Sequence, residues 1–131
     1  MGDNKKRVLL VEDIEPVREL ISQVLQRFGY DVHSAEDAEQ ALQTAQTLDS
    51  LDLLLADIEL PGLKGTELYE KLANQRPGLK VLFMSGYSEE ILDGILQRSN
   101  DIPFIQKPFT PQQLVEKVRG ILGRRRRGDM G

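Results

Sequence analysis

Apolar and polar positions follow two different periods along this chain, and these predict strands and helices in turn. Short, nearly continuous apolar runs occupy residues 8–11, 51–56 and 81–84, as expected of strands that helices cover on both faces. Residues 31–34 alternate between apolar and polar, and the run at 104–105 is short. We therefore expect five strands, with the second and fifth at the edges of a sheet.

The first predicted helix has the clearest pattern. Pro16 suits its first turn and Gly29 suits its end. Its apolar positions have the three-four spacing of a single helical face. They are Val17, Leu20, Ile21, Val24, Leu25 and Phe28.

Four further helices follow from the same spacing. Asp37 is placed to cap the second helix, and the third covers about residues 66–75. The fourth is predicted to start at Ser88. The fifth has Thr110 as its cap and Gln113 three residues later, which is the arrangement of a capping box.

Strand followed by helix, five times over, predicts an α/β fold with a parallel sheet covered on both faces. Right-handed crossovers and the two edge strands favour the order 2-1-3-4-5. This is the flavodoxin-like, doubly wound arrangement, whose switch point falls between the first and third strands. Ligands are expected there, outside the carboxyl ends of the strands.

Composition narrows the class of protein. With 131 residues, 40% of them hydrophobic, the chain fits one domain, expected over residues 1–123, followed by a basic, disordered tail at 124–131. Cysteine is absent, which excludes disulfides and thiolate metal sites and favours a cytoplasmic setting. No apolar run approaches the ~20 residues of a membrane span. A net charge of −4 and 5% aromatic residues argue against direct nucleic-acid binding.

Polar side chains directly follow four of the predicted strands. Glu12 and Asp13 follow the first, Asp57 the third, Ser85 the fourth and Lys107 the fifth. These residues should meet at one edge of the sheet. Three carboxylates with no histidine or cysteine nearby favour magnesium (Mg²⁺). With a cation and Lys107 to neutralise charge, Asp57 is the candidate nucleophile for a phosphoryl group.

Each of these residues also has a structural explanation when taken alone. Asp13 or Glu15 could cap the first helix. Ser85 could be a turn residue, and Lys107 a solvated lysine on an edge strand. Their joint occurrence at the strand ends is what favours a phosphate site.

Four segments resemble the receiver domain of two-component response regulators. They are residues 8–13, 56–65, 84–87 and 106–109, and the resemblance spans about residues 7 to 122. It implies that Asp57 accepts a phosphoryl group from a phosphohistidine on a sensor histidine kinase or a histidine phosphotransfer protein.

The resemblance also assigns the other roles at the site. It implies that Asp13, Asp57 and the main-chain carbonyl of Glu59 hold Mg²⁺. Glu12 would act mainly through a bound water, and Lys107 would contact the phosphoryl oxygens. A negative side chain at Glu59 is expected to affect the lifetime of the phosphoryl group, with no sign predicted.

Signalling by such receivers depends on a two-state switch, which the resemblance places at Ser85 and Phe104. It alters the surface of the fourth helix, fifth strand and fifth helix, next to a cis bond between Lys107 and Pro108. Many receivers have Thr and Tyr at the two switch positions. Because Phe104 lacks a hydroxyl, the coupling between the site and the surface is expected either to be weaker or to rely on packing alone. An ordinary core role for this ring stays open.

Other functions stay open at this point. A hydrolase of the haloacid dehalogenase type is disfavoured, because such enzymes carry an Asp-x-Asp pair after the first strand. A degenerate receiver or partner-binding module that works without phosphorylation is the main alternative. The chain could be a free-standing regulator or part of a hybrid histidine kinase, which also leaves its status as an enzyme open. It is expected to be a monomer or a weak, phosphorylation-dependent dimer.

Overall fold

The structure is a computed structural model that describes residues 5–60, 62–87 and 102–123. Five strands in these ranges form one parallel sheet, in the order β2-β1-β3-β4-β5. The strands are β1 (Arg7–Val11), β2 (Asp31–Ala35), β3 (Leu53–Asp57), β4 (Lys80–Ser85) and β5 (Phe104–Gln106). The predicted fold class and strand order are confirmed, and β2 and β5 are the edges.

The described residues contain four helices. They are α1 (Glu15–Arg27), α2 (Ala38–Gln46), α3 (Gly65–Gln75) and α4 (Pro111–Leu122). The helix predicted to start at Ser88 and the basic tail at 124–131 lie outside the described residues, so α4 is the helix predicted as the fifth. None of the helices in the described ranges is long and apolar enough to cross a membrane.

Both faces of the sheet are buried because side chains alternate along each strand. Leu9 and Leu54 point to one face and pack in a cluster with apolar residues of α2 and α3. Leu10 and Leu55 point to the other face and pack with apolar residues of α1 and α4. The sheet therefore has a core on each side, and its two ends are where polar groups lie.

The predicted caps of two helices are present. The Asp37 carboxylate accepts a hydrogen bond from the main chain of Gln40 at 2.8 Å. Thr110 Oγ accepts from the Gln113 main chain at 3.0 Å, and Gln113 Oε1 accepts from the Thr110 main chain at 2.9 Å. This reciprocal pair is the expected capping box, and it fixes the direction in which the chain leaves β5 and enters α4.

The apolar face predicted for α1 is buried only in part. Leu20 is 57% exposed and Phe28 is 51% exposed, whereas Ile21 and Leu25 are buried. Leu20 lies at the margin of the apolar arc, beyond the strip that faces the sheet. Phe28 is the residue at which α1 ends, so the chain turns away from the core there. The three-four spacing thus gives the direction of the buried face but not its width.

The difference in burial between Leu20 and Leu25 is testable. Leu25→Ala should lower the free energy of unfolding by about 2–5 kcal/mol, because it leaves a cavity in the core. Leu20→Ala, the matched control on the same helix, should change it by no more than about 0.5 kcal/mol. Chemical denaturation measures both values. Equal losses for the two variants would show that Leu20 is packed as Leu25 is.

Candidate functional site

The register of the sheet brings the predicted polar residues to one edge. Val11 of β1 lies opposite Ala56 of β3, and Asp57 lies opposite Met84 of β4. Since the strands are parallel, the residues that end them or directly follow them lie side by side. They are Glu12, Asp13, Asp57, Ser85 and Lys107.

Three carboxylates form the centre of this edge. Oxygen atoms of Glu12, Asp13 and Asp57 all lie within 4.8 Å of one another. Glu12 is fully buried, Asp57 is mostly buried and Asp13 is exposed. Two like charges at such a distance repel by about 4 kcal/mol at an effective dielectric near 20. The cluster therefore requires positive charge.

Lys107 supplies one such charge. Its Nζ donates to Glu12 Oε1 at 2.9 Å and to Asp57 Oδ2 at 2.7 Å. Burial by itself lowers the pKa of Lys107, but the hydrogen bonds and charges of Asp57 and Glu12 outweigh burial and raise this pKa overall. The ammonium is therefore charged at neutral pH. Because it offsets one of three carboxylate charges, the cluster keeps an excess of negative charge that suits a divalent cation.

Both carboxylate oxygens and the main-chain carbonyl of Glu12 accept hydrogen bonds from other residues. Besides the ion pair with Lys107, its Oε2 accepts a hydrogen bond from the Ile14 main chain at 3.2 Å. Its main-chain carbonyl accepts from Arg18 Nη1 at 2.8 Å. This leaves Asp13 as the solvent-facing carboxylate of the loop. Ile14 is the N-cap of α1, so the alternative in which Asp13 caps this helix is wrong.

Asp57 is held at both carboxylate oxygens and at its main chain. Oδ1 accepts from the Glu59 main chain at 2.9 Å, and Oδ2 accepts from Lys107. Gly65, the first residue of α3, approaches so closely that a Cβ added to it would lie 2.5 Å from the Asp57 carbonyl oxygen. Only glycine permits this approach, which fixes Asp57 against the start of α3.

Ser85 and Tyr87 form the side of the site that follows β4. Ser85 is buried, and its Oγ accepts a hydrogen bond from the Tyr87 main chain at 2.9 Å. The Tyr87 hydroxyl donates to Glu59 Oε2. That hydrogen bond and the charge of Glu59 raise the pKa of the Tyr87 phenol. Among the described residues, the Ser85 hydroxyl is therefore bonded to the Tyr87 main chain and not to the carboxylates.

Sequence reasoning gave Tyr87 no role, although a signal was available. Tyr87 is two residues past Ser85, and Glu59 is two residues past Asp57. Because β3 and β4 are neighbours in register, residues at equal distances past their ends are candidates for contact. A long hydroxyl-bearing side chain opposite a carboxylate could have been predicted as a pair.

The other features named from the sequence are the Lys107–Pro108 bond, Phe104 and His33, and the structure describes the position of each. The Lys107–Pro108 peptide bond is cis, as predicted. Phe104 is half-buried and packs against the cluster on the α2 and α3 side of the sheet, so its role as a switch stays a prediction. His33 lies on β2 with its ring 3.3 Å from Asp31, at the edge away from the carboxylates.

The chain is similar in sequence and in fold to known proteins. A sequence model described as the response regulator receiver domain matches residues 8–119. The response regulator receiver protein CpdR of Brucella abortus is 30% identical over 117 residues, covering 89% of this chain and 97% of CpdR. The sensor kinase CckA of Brucella abortus is 34% identical over 116 residues, covering 88% of this chain but only 12% of that kinase. A crystal structure of a CheY-like response regulator receiver domain protein from Methanospirillum hungatei has a TM-score of 0.74 at 32% identity, covering 89% of this chain and 93% of that one.

The close approach of Gly65 to Asp57 predicts a contrast between two glycines. Gly65→Ala should lower the free energy of unfolding by about 1–3 kcal/mol, because the new Cβ must displace the Asp57 main chain. Gly120→Ala in α4 is the matched control, since a Cβ there meets nothing within 4 Å. It should stabilise by about 0.5–1 kcal/mol through helix propensity. Urea denaturation distinguishes the two, and a Gly65→Ala variant as stable as Gly120→Ala would contradict the steric argument.

Proposed function

The chain belongs to the response regulator receiver family, and from this we propose that Asp57 is its phosphoryl acceptor. The observation that carries the proposal is the position of the Asp57 carboxylate. It lies at the end of a central strand, within an acidic cluster and 2.7 Å from a lysine ammonium. A carboxylate so placed has positive charge beside it where a transferring phosphoryl group would develop negative charge.

The proposed reaction is a phosphoryl transfer between two protein side chains. A carboxylate oxygen of Asp57 attacks phosphorus, and the bond from phosphorus to the imidazole nitrogen of a partner phosphohistidine breaks. Lys107 is already bonded to Asp57 and donates to the phosphoryl oxygens. Later attack by water on the same phosphorus breaks its bond to Asp57, which restores the carboxylate and releases inorganic phosphate.

The residues at the site fit a magnesium ion. The cluster carries excess negative charge, and its donors are all oxygen atoms, including the exposed carboxylate of Asp13 beside Asp57. Asp13, Asp57 and the Glu59 carbonyl would hold the ion. Glu12, whose oxygens are bound to Lys107 and Ile14, would act indirectly. When bound, the ion supplies charge neutralisation for the phosphoryl oxygens.

Ser85 and Phe104 are proposed to carry the response to the surface. Ser85 Oγ uses an acceptor position for Tyr87, and its hydroxyl proton remains available to donate to a phosphoryl group. Movement of Ser85 would change the packing of Phe104, whose neighbours include the cluster on one face of the sheet. The surface expected to respond comprises β5, α4 and the segment predicted as the fourth helix.

The partners proposed are a sensor histidine kinase or a histidine phosphotransfer protein. The match to a sensor kinase over 12% of its length and to a receiver protein over 97% of its length is compatible with either a hybrid kinase fragment or a free-standing regulator. Whether the chain is part of a hybrid kinase or a free-standing regulator stays open. The domain boundary at residue 123, the cytoplasmic setting and the monomeric or weakly dimeric state stay predictions.

Small-molecule phosphorylation tests the acceptor. Incubation with acetyl phosphate and Mg²⁺ should add one phosphoryl group, read as a single increment in intact mass. Asp57→Asn should gain nothing, because an amide lacks the nucleophilic oxygen anion. Omission of Mg²⁺ should abolish the gain in the wild-type chain.

The same experiment has decisive negative outcomes. Label on Asp57→Asn would place the acceptor elsewhere in the chain. Wild-type protein that stays unmodified would favour the alternative of a partner-binding module without phosphorylation. Gain of label without Mg²⁺ would remove the metal from the proposal and leave the acceptor in place.

Lys107→Ala tests whether this lysine couples the acceptor to the surface. The variant should still be phosphorylated, more slowly by roughly 10²-fold because a charge-stabilising donor is lost. The change in amide chemical shifts of β5 and α4 on phosphorylation should disappear. Lys71→Ala, at an exposed lysine of α3, is the control and should respond as the wild type does. A full surface response in Lys107→Ala would show that Lys107 does not couple the site.

A further inference from the structure

The loop between β1 and α1 carries the most exposed carboxylate of the acidic cluster. Asp13 is exposed, whereas Glu12 is fully buried. Within residues 5–60, 62–87 and 102–123, none of the hydrogen bonds and ion pairs involves the Asp13 carboxylate. An oxygen of this carboxylate nevertheless lies within 4.8 Å of those of Glu12 and Asp57. The position of the Asp13 side chain must therefore be set by the main chain of the loop.

Arg18 binds that main chain directly. Its Nη1 donates to the Glu12 carbonyl oxygen at 2.8 Å. This carbonyl belongs to the planar peptide group that joins Glu12 to Asp13, so fixing its oxygen fixes the plane from which the Cα of Asp13 departs. On the other side of the Glu12 Cα, the main-chain N–H donates to the Ala35 carbonyl at 3.1 Å. The chain is thus held immediately before Asp13.

The start of α1 gives Arg18 a rigid base. The Arg18 side chain is half-buried, and its main-chain N–H donates to the Ile14 carbonyl at 2.9 Å. Further along the same helix, Ile21 and Leu25 are buried against the sheet. The guanidinium therefore connects the loop to an element that the apolar core fixes in place.

We infer that Arg18 is a positioning residue for the metal site: through the Glu12 carbonyl, its guanidinium holds the Asp13 carboxylate beside Asp57, where both would bind Mg²⁺. The inference rests on the proposed Mg²⁺ site and goes beyond it, because it assigns a role to a residue that cannot itself be a ligand. A guanidinium has only donors and carries a positive charge.

The charge of Arg18 makes the sign of its effect diagnostic. A positive charge near the cluster repels a cation, so loss of the charge alone would tighten Mg²⁺ binding. Loss of the hold on the loop would weaken it, since residues that orient metal ligands typically change metal affinity by about 10–100-fold. The charge of a half-exposed side chain is screened by solvent and salt, whereas the hydrogen bond is short. Weaker binding is therefore the expected result of removing the guanidinium.

The experiment titrates the unphosphorylated chain with Mg²⁺ and follows the amide resonances of Asp13 and Asp57. Arg18→Met should raise the Mg²⁺ concentration for half-saturation by about tenfold. Arg27→Met is the matched control, because it removes the same charge from an exposed position in the last turn of the same helix. It should leave the half-saturation concentration unchanged. An unchanged or lower concentration in Arg18→Met would overturn the inference.

Spectra recorded without metal distinguish a local hold from general loosening of the helix. In Arg18→Met, the amide nitrogen of Asp13 should shift, because it belongs to the peptide group whose carbonyl loses its donor. The Leu25 amide and the thermal unfolding midpoint should stay close to those of the wild type. Shifts throughout α1 together with a lower midpoint would show that Arg18 acts on the helix as a whole and would refute the positioning role.

The Mg²⁺ dependence of labelling by acetyl phosphate separates positioning from direct action on the phosphoryl group. In Arg18→Met, the Mg²⁺ concentration for half-maximal rate should rise by about tenfold. The maximal rate at saturating Mg²⁺ should stay within about twofold of the wild type, because the acceptor and Lys107 are intact. A lower maximal rate with an unchanged half-maximal concentration would mean that Arg18 contacts the phosphoryl group, contrary to the inference.

These outcomes are separable from failure of the proposed function. If Asp13 and Asp57 in the wild-type chain show no saturable response to Mg²⁺, the proposed metal site is wrong and the role of Arg18 falls with it. If the wild-type chain binds Mg²⁺ and Arg18→Met binds it equally well, the metal site stands and only the positioning role is wrong.

Discussion

The ammonium of Lys107 is the interaction on which the functional end of this molecule depends. It reaches Glu12 from β1 and Asp57 from β3, although Lys107 itself follows the edge strand β5. Its main-chain N–H is anchored to the Ser85 carbonyl at 2.7 Å, which fixes the start of the side chain over β4. One residue therefore spans the ends of four strands. Without it, three neighbouring carboxylates would repel one another with nothing between them.

Packing in the rest of the fold offsets the free-energy cost of the repulsion between these carboxylates. The two apolar clusters lie on the faces of the sheet and share no residue with the acidic cluster. Their burial stabilises the sheet irrespective of what happens at its carboxyl edge. Repulsion can accumulate at that edge because the strands that carry the carboxylates are fixed from both sides. Functional sites commonly hold such local conflicts, which the surrounding packing overcomes.

Much of this could be predicted from the sequence, because the relevant signals are local or periodic. Apolar runs gave the strands, and a strand order followed from which runs were short or alternating. Side-chain positions at the strand ends gave the acidic cluster and Lys107. Periodicity could not give the exposure of Leu20, since that depends on how wide a strip of α1 the sheet covers. Nor could it give the Tyr87–Glu59 bond, because that contact depends on the direction of two side chains in loops beyond neighbouring strands.

The same contacts explain why a change at Asp57 cannot stay local. Both of its oxygens are bound, one by the Glu59 main chain and the other by Lys107. Esterification of either oxygen must therefore alter one of these bonds. Altering the bond to Lys107 changes the only ion pair that buried Glu12 makes in the described ranges. Altering the bond to the Glu59 main chain affects the residue whose carboxylate accepts a hydrogen bond from the Tyr87 hydroxyl.

Tyr87 and Lys107 both connect back to Ser85, one through its side-chain oxygen and the other through its carbonyl. A change in the bonds of either Asp57 carboxylate oxygen therefore affects the end of β4 and the start of the turn after β5. A closed set of mutually dependent hydrogen bonds has few intermediate arrangements, because breaking one member weakens the next. A two-state response at this site would therefore require the whole set to rearrange together, because a switch needs two discrete arrangements of its contacts.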